Sequence, residues 1–332
     1  MLASVVIPTK DRPNYVQEAV ESIFAGEYQE FEVFVVDQSA DAATAHALNR
    51  FCSDARFQYV KNMTSTAGAS SSRNIGIALS SGEIVVNTDD DVFATKNYLS
   101  TLVEEFSADP HLGFVVGNLT APDYDRSAGL VPEFYADSTI SAWRLPLVSA
   151  GASYCMRRTT FELVGGYDQN WGPGSGIGIS DDGDICFRII RAGVKWKVCP
   201  AAEIIHIHGF RVVDAAQSLL DAYEHGVGAN FGRFTRRGDL AAGLWFLARE
   251  VRETGKAIFK MVVRRGSSDF RYAGLRWSGF RAGFSVPPDR GFVSAGDLAQ
   301  LRAHYGAALS ENGHRFGLRS GDAHSQRPTA VS

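Results

Sequence analysis

The chain reads as an α/β protein: a mainly parallel sheet flanked by helices, with a helical appendage behind it. Three observations predict this. Short apolar runs alternate with helical patterns through the first third of the sequence, as strand–helix–strand units do. With 332 residues, 45% of them apolar and 21% charged, the chain is long enough for one large domain plus an addition. From about residue 215 to 263 helical patterns dominate.

Each element has a local reason. "SVVIP" (residues 4–8) is a run of β-formers and predicts the first strand, with a helix over 14–25. "EVFVVD" (32–37) predicts the second, with a helix through 41–51, and "RFQYV" (56–60) the third. "SSSRNIGIALSSG" predicts a helix from about Ser71 that Gly82 closes as a left-handed C-terminal glycine. "EIVVNT" (83–88) is the fourth strand, and its far end carries Asp89, Asp90 and Asp91. A helix over 98–106 and a strand over 113–119 follow, then an irregular stretch over 121–147. A strand over 152–158 and a short helix lead to a loop with glycine at 172, 174, 176 and 178. Next come a helix opening at Asp181, a stop at Gly193, a strand to Cys199, and a last extended piece, "AEIIHIHGF". Residues 1–210 form the α/β domain and 211–309 a helical, basic region, while the polar tail over 310–332 is expected to be disordered. There is no internal repeat.

Cys52, Cys155, Cys186 and Cys199 form no C-x-x-C pair and no zinc spacing, which favours a reducing cytosol. The N-terminus lacks a charged leader region, and no run of about 18 apolar residues exists to span a bilayer. The expected location is therefore cytoplasmic. Charge is unevenly spread. Between Arg233 and Arg281 there are twelve Lys and Arg against four Asp and Glu, a net of +8, which leaves −12 on the rest of a chain of net −4. A cationic appendage on an acidic body calls for an anionic partner.

In a parallel α/β sheet the ligand site lies beyond the carboxyl ends of the strands. Asp37 ends the second strand and Asp89, Asp90 and Asp91 follow the fourth, so all four fall on that rim. If the backbone stays extended, Asp89 and Asp91 face one ligand while Asp90 turns away. Carboxylates held together repel one another, and a hard divalent cation relieves the repulsion. Oxygen ligands with open positions for phosphate favour Mg²⁺ or Mn²⁺. A D-x-D triplet alone also fits a helix cap or an acidic turn.

The neighbouring motifs narrow the choice. "VVIPTKDRP", "VVDQSAD", "GASSSRNIGIALSSGEIVVNTDDDV", "GGYD" and "SDDGDICFRIIRAG", in this order and at these spacings, resemble the family 2 glycosyltransferases of GT-A fold. The resemblance covers residues 4–209 and implies a nucleotide-diphosphate sugar donor, a divalent metal at the D-x-D and inversion at the anomeric carbon. It assigns Pro8, Thr9, Asp11 and Arg12 to the loop lying against the nucleoside, Asp37 to the base, and Gly68 with Arg73 to the segment reaching the nucleotide. By the same match Asp89 lies near ribose and metal, with Asp90 beside it on the nucleotide-sugar side, and Asp91 is the direct metal ligand. The acidic motif matches with aspartate in place of glutamate at its first position, making Asp182 the base and Asp181 its orienter or an acceptor contact. A helix start favours the ionised form that a base needs. His206 and His208 share a strand face in this reading and occupy the region where the fold places a third metal ligand; the sequence does not choose between them.

"WGPGSGIGI" does not fit a dinucleotide fingerprint, since residue 177 is Ile, and reads better as a lid over the acceptor. "LAAGLWFLAREVRETGKAIFKMVVRRG" interleaves apolar side chains with Arg and Lys, the pattern of a helix lying in a membrane interface or packing on the catalytic domain. Family members with lipid-linked acceptors make peripheral contact with anionic membrane the expected role. No nucleic-acid recognition motif is present. The competing readings are a sugar-phosphate nucleotidyltransferase, which needs a glycine-rich loop that "IPTKDRPN" lacks, and a non-catalytic scaffold, against which the intact Asp89, Asp91 and Asp182 speak.

Overall fold

The structure, a computed structural model, describes residues 1–62, 64, 68–173, 177–264, 270–287 and 292–312. The expected disordered tail beyond residue 312, and Gly174 and Gly176 of the expected lid, lie outside the described residues. The chain opens with β1 (Ala3–Thr9), α1 (Pro13–Phe24), β2 (Phe31–Asp37), α2 (Ala43–Leu48), β3 (Phe57–Lys61), α3 (Ala69–Leu79) and β4 (Ile84–Asn87). These four strands pair in parallel, with β1 between β2 and β4. Val5, Val6 and Ile7 are all fully buried because helices cover both faces of the sheet.

The second half adds β5 (Phe93–Ala94), α4 (Tyr98–Ala108), β6 (Leu112–Thr120), β7 (Gly129–Leu130), α5 (Leu145–Val148), β8 (Tyr154–Arg157), α6 (Arg158–Val164), α7 (Asp181–Arg191), β9 (Lys195–Ile205) and β10 (Arg211–Val212). The sheet runs in the order β3-β2-β1-β4-β8-β6-β9-β5. β8 is antiparallel to both neighbours, whereas β6 and β9 are parallel. β7 and β10 form a separate antiparallel ribbon. Among the described residues four helices follow: α8 (Val213–Arg236), α9 (Leu240–Arg264), α10 (Arg271–Ser285) and α11 (Ala295–Asn312).

Three local expectations change. The strand to Cys199 and the extended piece after it are one strand, β9, whose pairing with β6 slips between Gly117 and Asn118. The short strand β5 falls where no strand was expected, pairing with the end of β9. Gly82 is not a left-handed cap: α3 stops at Leu79 with Ser80 extended, and Gly82 is needed because a Cβ there would strike Ser4 Oγ at 2.5 Å. Gly193 does what was expected. At φ +73° it closes α7, its amide donating to the Ile190 carbonyl and that of Val194 to the Ile189 carbonyl.

The C-terminal helices are locked to each other and to the sheet. Gly228 and Gly232 of α8 lie against carbonyls of α10, and Gly279 and Gly283 of α10 against carbonyls of α8, so any side chain there would force the helices apart. α11 returns to α3: Val293 and Leu298 join the main core, and Tyr305 packs with Phe34, Val36, Val60 and Ile75.

Candidate active site

The cleft opens where β1 and β4 end, at the point where the chain leaves β1 in one direction and returns beside it in the other. It encloses about 490 Å³. Pro8, Thr9, Arg12, Gly68, Arg73, Asp89, Asp90, Asp91 and His206 line it, all expected from sequence, together with Arg211, Tyr223 and others that were not.

The acidic stretch is not extended. β4 ends at Asn87 and the backbone turns at Asp90 and Asp91. Asp90 therefore does not turn away: it lines the cleft, and its carboxylate accepts from the Thr9 hydroxyl at 2.7 Å and from Arg12 at 3.0 Å. Burial and the neighbouring Asp91 push its carboxyl up to about 6. Asp91 meets Arg12 at 3.2 Å, His206 at 3.2 Å and Arg211 at 3.7 Å. Burial alone would raise it, but the His206 hydrogen bond and these cations hold it down at about 2.

His206 and His208 part company because β9 ends at Ile205. His206 Nδ1 lies 3.0 Å from the Pro132 carbonyl, which can only accept, so that nitrogen carries a proton. Nε2 then faces Asp91 Oδ1 at 3.2 Å. Two lone pairs cannot face each other at that distance, so a proton or a metal cation belongs between them. Carbonyl-oriented imidazole paired with carboxylate is a metal-ligand arrangement, and the residues fit a divalent ion. Burial alone would lower the His206 pKa, but the Asp91 hydrogen bond and charge, with the Pro132 carbonyl and Asp89, together raise it. Among the described residues no three His, Cys, Asp or Glu converge, so remaining positions would fall to phosphate oxygens and water. His208 instead stacks on Tyr15 with ring centres 3.9 Å apart and pairs with Glu18 at 2.9 Å, away from the cleft lining.

Asp37 and Asp11 also stand outside the lining. Asp37 is fully buried and its oxygens are occupied, by the Ser39 amide at 2.8 Å and hydroxyl at 2.5 Å, the Tyr59 hydroxyl at 2.6 Å and Lys61 at 3.2 Å. Ser39 Oγ in turn accepts the Asp11 amide at 2.8 Å, which holds Asp11 at φ +56°, a conformation costly for a residue with a side chain. The two aspartates thus shape the loop that carries Thr9 and Arg12.

Asp181 and Asp182 open α7 beside the cleft. Arg73, buried on α3 and lying over the Tyr167 ring, ion-pairs with Asp181 and reaches Asp89 at 2.6 Å. That bridge ties the D-x-D to the start of α7. Asp182 accepts from the Gly151 amide at 3.1 Å and the Gly183 amide at 2.8 Å, and burial together with Asp181 pushes it up to about 6. Gly172, at φ +101°, is required where it stands because a Cβ would come within 2.9 Å of the Asp181 carboxyl carbon.

Arg211 and Tyr223 escaped the sequence reading. Arg211 sits on the β7–β10 ribbon, in a stretch with no period to read, and Tyr223 with Leu219 forms an i, i+4 pair on α8 whose inward face is set only by tertiary packing.

Residues 4–158 match the model of glycosyl transferase family 2. Over this span, a little under half of the chain, the sequence is similar to that family. Glycosyltransferase GlyG of Streptococcus pneumoniae is 30% identical over 131 residues, 39% of this chain and 42% of that one. The GalNAc(5)-diNAcBac-PP-undecaprenol beta-1,3-glucosyltransferase of Campylobacter jejuni is 31% identical over 116 residues, 35% of this chain and 37% of that one. The chain spans less than half the length of the first relatives it matches. The mannosyltransferase PcManGT of Pyrobaculum calidifontis, solved with GDP-Man and Mn²⁺, shares the fold at a TM-score of 0.54 and 19% identity, over 93% of this chain and 86% of its own.

Proposed function

We propose that the chain transfers a sugar, with inversion at the anomeric carbon, from a nucleotide-diphosphate sugar to a hydroxyl of a saccharide or lipid-linked saccharide. The observation that carries this reading is the Arg73 bridge between Asp89 and Asp181, which joins a carboxylate cluster suited to a diphosphate to a helix start suited to a base. Asp91 and His206 would hold a divalent cation, Mn²⁺ or Mg²⁺, with Asp89 behind them on Arg73, and when bound it would neutralise charge building on the departing nucleoside diphosphate. Arg12 and Arg211, already on the cleft wall, supply further positive charge for the phosphates.

Asp182 then takes the proton from the acceptor hydroxyl as its oxygen attacks the anomeric carbon from the face opposite the leaving group. The bond from that carbon to the diphosphate breaks, and the nucleoside diphosphate leaves with the electron pair. A carboxyl shifted up to about 6 is well matched to this task, being ionised at neutral pH yet more basic than an ordinary aspartate. The names of the relatives support sugar transfer, and the Campylobacter enzyme's name points to a lipid-linked acceptor.

The test is titration calorimetry with UDP-, GDP- and dTDP-sugars, with Mn²⁺ and then with EDTA. One nucleotide class should bind, and EDTA should abolish that binding. Asp91→Asn should remove metal-dependent binding, whereas Asp182→Asn should keep it and lower turnover by at least a hundredfold. Full turnover in Asp182→Asn would move the base elsewhere, and no binding under any condition would overturn the donor assignment.

A further inference from the structure

The feature the cleft chemistry leaves unused is α9. Leu240, Leu244, Leu247, Val251, Ile258 and Val262 recur at helical spacing, which sets them along one face, and every one is 47 to 74% exposed. A 25-residue helix extends about 38 Å. Its inner face is used over its first half only, where Ala242 and Phe246 are buried and Glu250 pairs with Arg276 at 2.6 Å. From Val251 to Val263 no side chain is buried, and Phe259, Met261 and Val263 add to the apolar surface.

Monomeric proteins rarely leave a continuous apolar ridge in water. The charges beside the ridge indicate what covers it. Arg252 and Lys256 are 62% and 58% exposed, and Lys260 is exposed one turn further along the same flank. α9 itself carries Arg249, Arg252, Lys256, Lys260 and Arg264 against Glu250 and Glu253, so cations outnumber carboxylates on the helix that bears the ridge. Among the described residues no helix is long and apolar enough to cross a bilayer.

We infer that α9 docks the protein onto an anionic lipid bilayer, lying in the interface with Leu244, Leu247, Val251, Ile258, Phe259 and Val262 among the acyl chains and Arg252, Lys256 and Lys260 at the headgroups. Apolar burial supplies affinity and the cations supply preference for negative lipids. A second copy of the chain would cover the apolar ridge equally well but would bring one basic flank against another. The inference goes beyond the transfer reaction and stands on the surface of α9 alone.

The full chain would be tested by flotation with vesicles of phosphatidylcholine alone and with a quarter phosphatidylglycerol. It is expected to float with the anionic vesicles at least tenfold better. Replacing Lys256 and Lys260 by Gln should reduce that preference by about fivefold for each cation. Ile258→Glu with Val262→Glu should abolish flotation while nucleotide-sugar binding stays unchanged, since these side chains touch neither core nor cleft. No flotation with either vesicle would overturn the proposal. So would flotation indifferent to the glutamate variant, or a wild-type dimer in solution that the glutamate variant makes monomeric.

Discussion

Asp182 shows most directly how the role proposed for a side chain and the stability of the fold can oppose each other. Its carboxyl sits at about 6 instead of the usual 3.8, chiefly because burial disfavours the charge and Asp181 repels it. The folded state thus holds this proton more tightly than the unfolded chain does. The side chain costs nothing below about pH 4, where both states are protonated, and its ionisation opposes folding increasingly as pH rises from 4 through 6. Asp182→Asn should accordingly raise the melting temperature at pH 7.5, by the equivalent of up to about 3 kcal/mol, and the gain should shrink toward pH 4. Thermal melts of both proteins across that range would show it; a gain that grew toward acid would mean the carboxyl is not raised. On the proposed role of Asp182 as base, the same shift predicts that kcat/KM falls about tenfold per pH unit below 6, as that carboxylate becomes protonated. At this scale the sequence was legible in residue type and less so in role. Asp91 lines the cleft and Asp182 lies in the first turn of α7, but Asp37 is buried by its own hydrogen bonds, and His208 is turned outward by the end of β9 at Ile205. β2 ends at Asp37 as expected, and it is Ser39, Tyr59 and Lys61 converging on that carboxylate that take it from the cleft, whereas His208 depends on where β9 stops.

Elements matter here through how they hold the start of α7. Ser180 stands at the N-cap position of that helix, and Asn230 of α8 donates to its carbonyl at 2.9 Å and its hydroxyl at 2.7 Å. One helical turn on, Arg233 is fully buried against Asp168 at 2.5 Å, beneath the ring of Trp171. α8 therefore grips both ends of the glycine loop that leads to Asp181 and Asp182. Asn230→Ala should remove the two donors, costing about 1 to 2 kcal/mol of stability. It should lower kcat about tenfold with KM for the donor nearly unchanged, because the donor wall is built on β1, β4 and α3. Steady-state kinetics separate the two: a rise in donor KM with kcat intact would show that α8 serves binding instead. The strands of this region were readable because continuous apolar runs survive any tertiary context. The grip was not, since nothing local distinguishes Asn230 or Arg233 from solvated helix residues.

Across the whole molecule, the change in character at residue 210 is one of charge, and it is bridged by packing. The sequence reads 211–309 as helical and basic, and α8 to α11 are helices, yet α11 leaves that region to cover α3. α3 carries Arg73 and is buried on almost every side despite being rich in serine, which is possible because Ser70, Asn74 and Asn62 have partners and because α11 supplies the outer wall. The Gly166 amide donates to the Val293 carbonyl at 2.8 Å, linking the same C-terminal segment to the "GGYD" motif. If this is one folding unit, Leu298→Ala should destabilise all of it by about 2 kcal/mol, given that Leu298 is 9% exposed within the main core. Removing residues 292–332 should lower the melting temperature of the α/β half by well over 5 °C and weaken nucleotide-sugar binding through a loosened α3. An independent appendage predicts the opposite, a truncated protein melting where the full chain does and binding donor equally well. Differential scanning calorimetry of the two proteins decides between them, with one shifted transition on the first account and an unshifted one on the second.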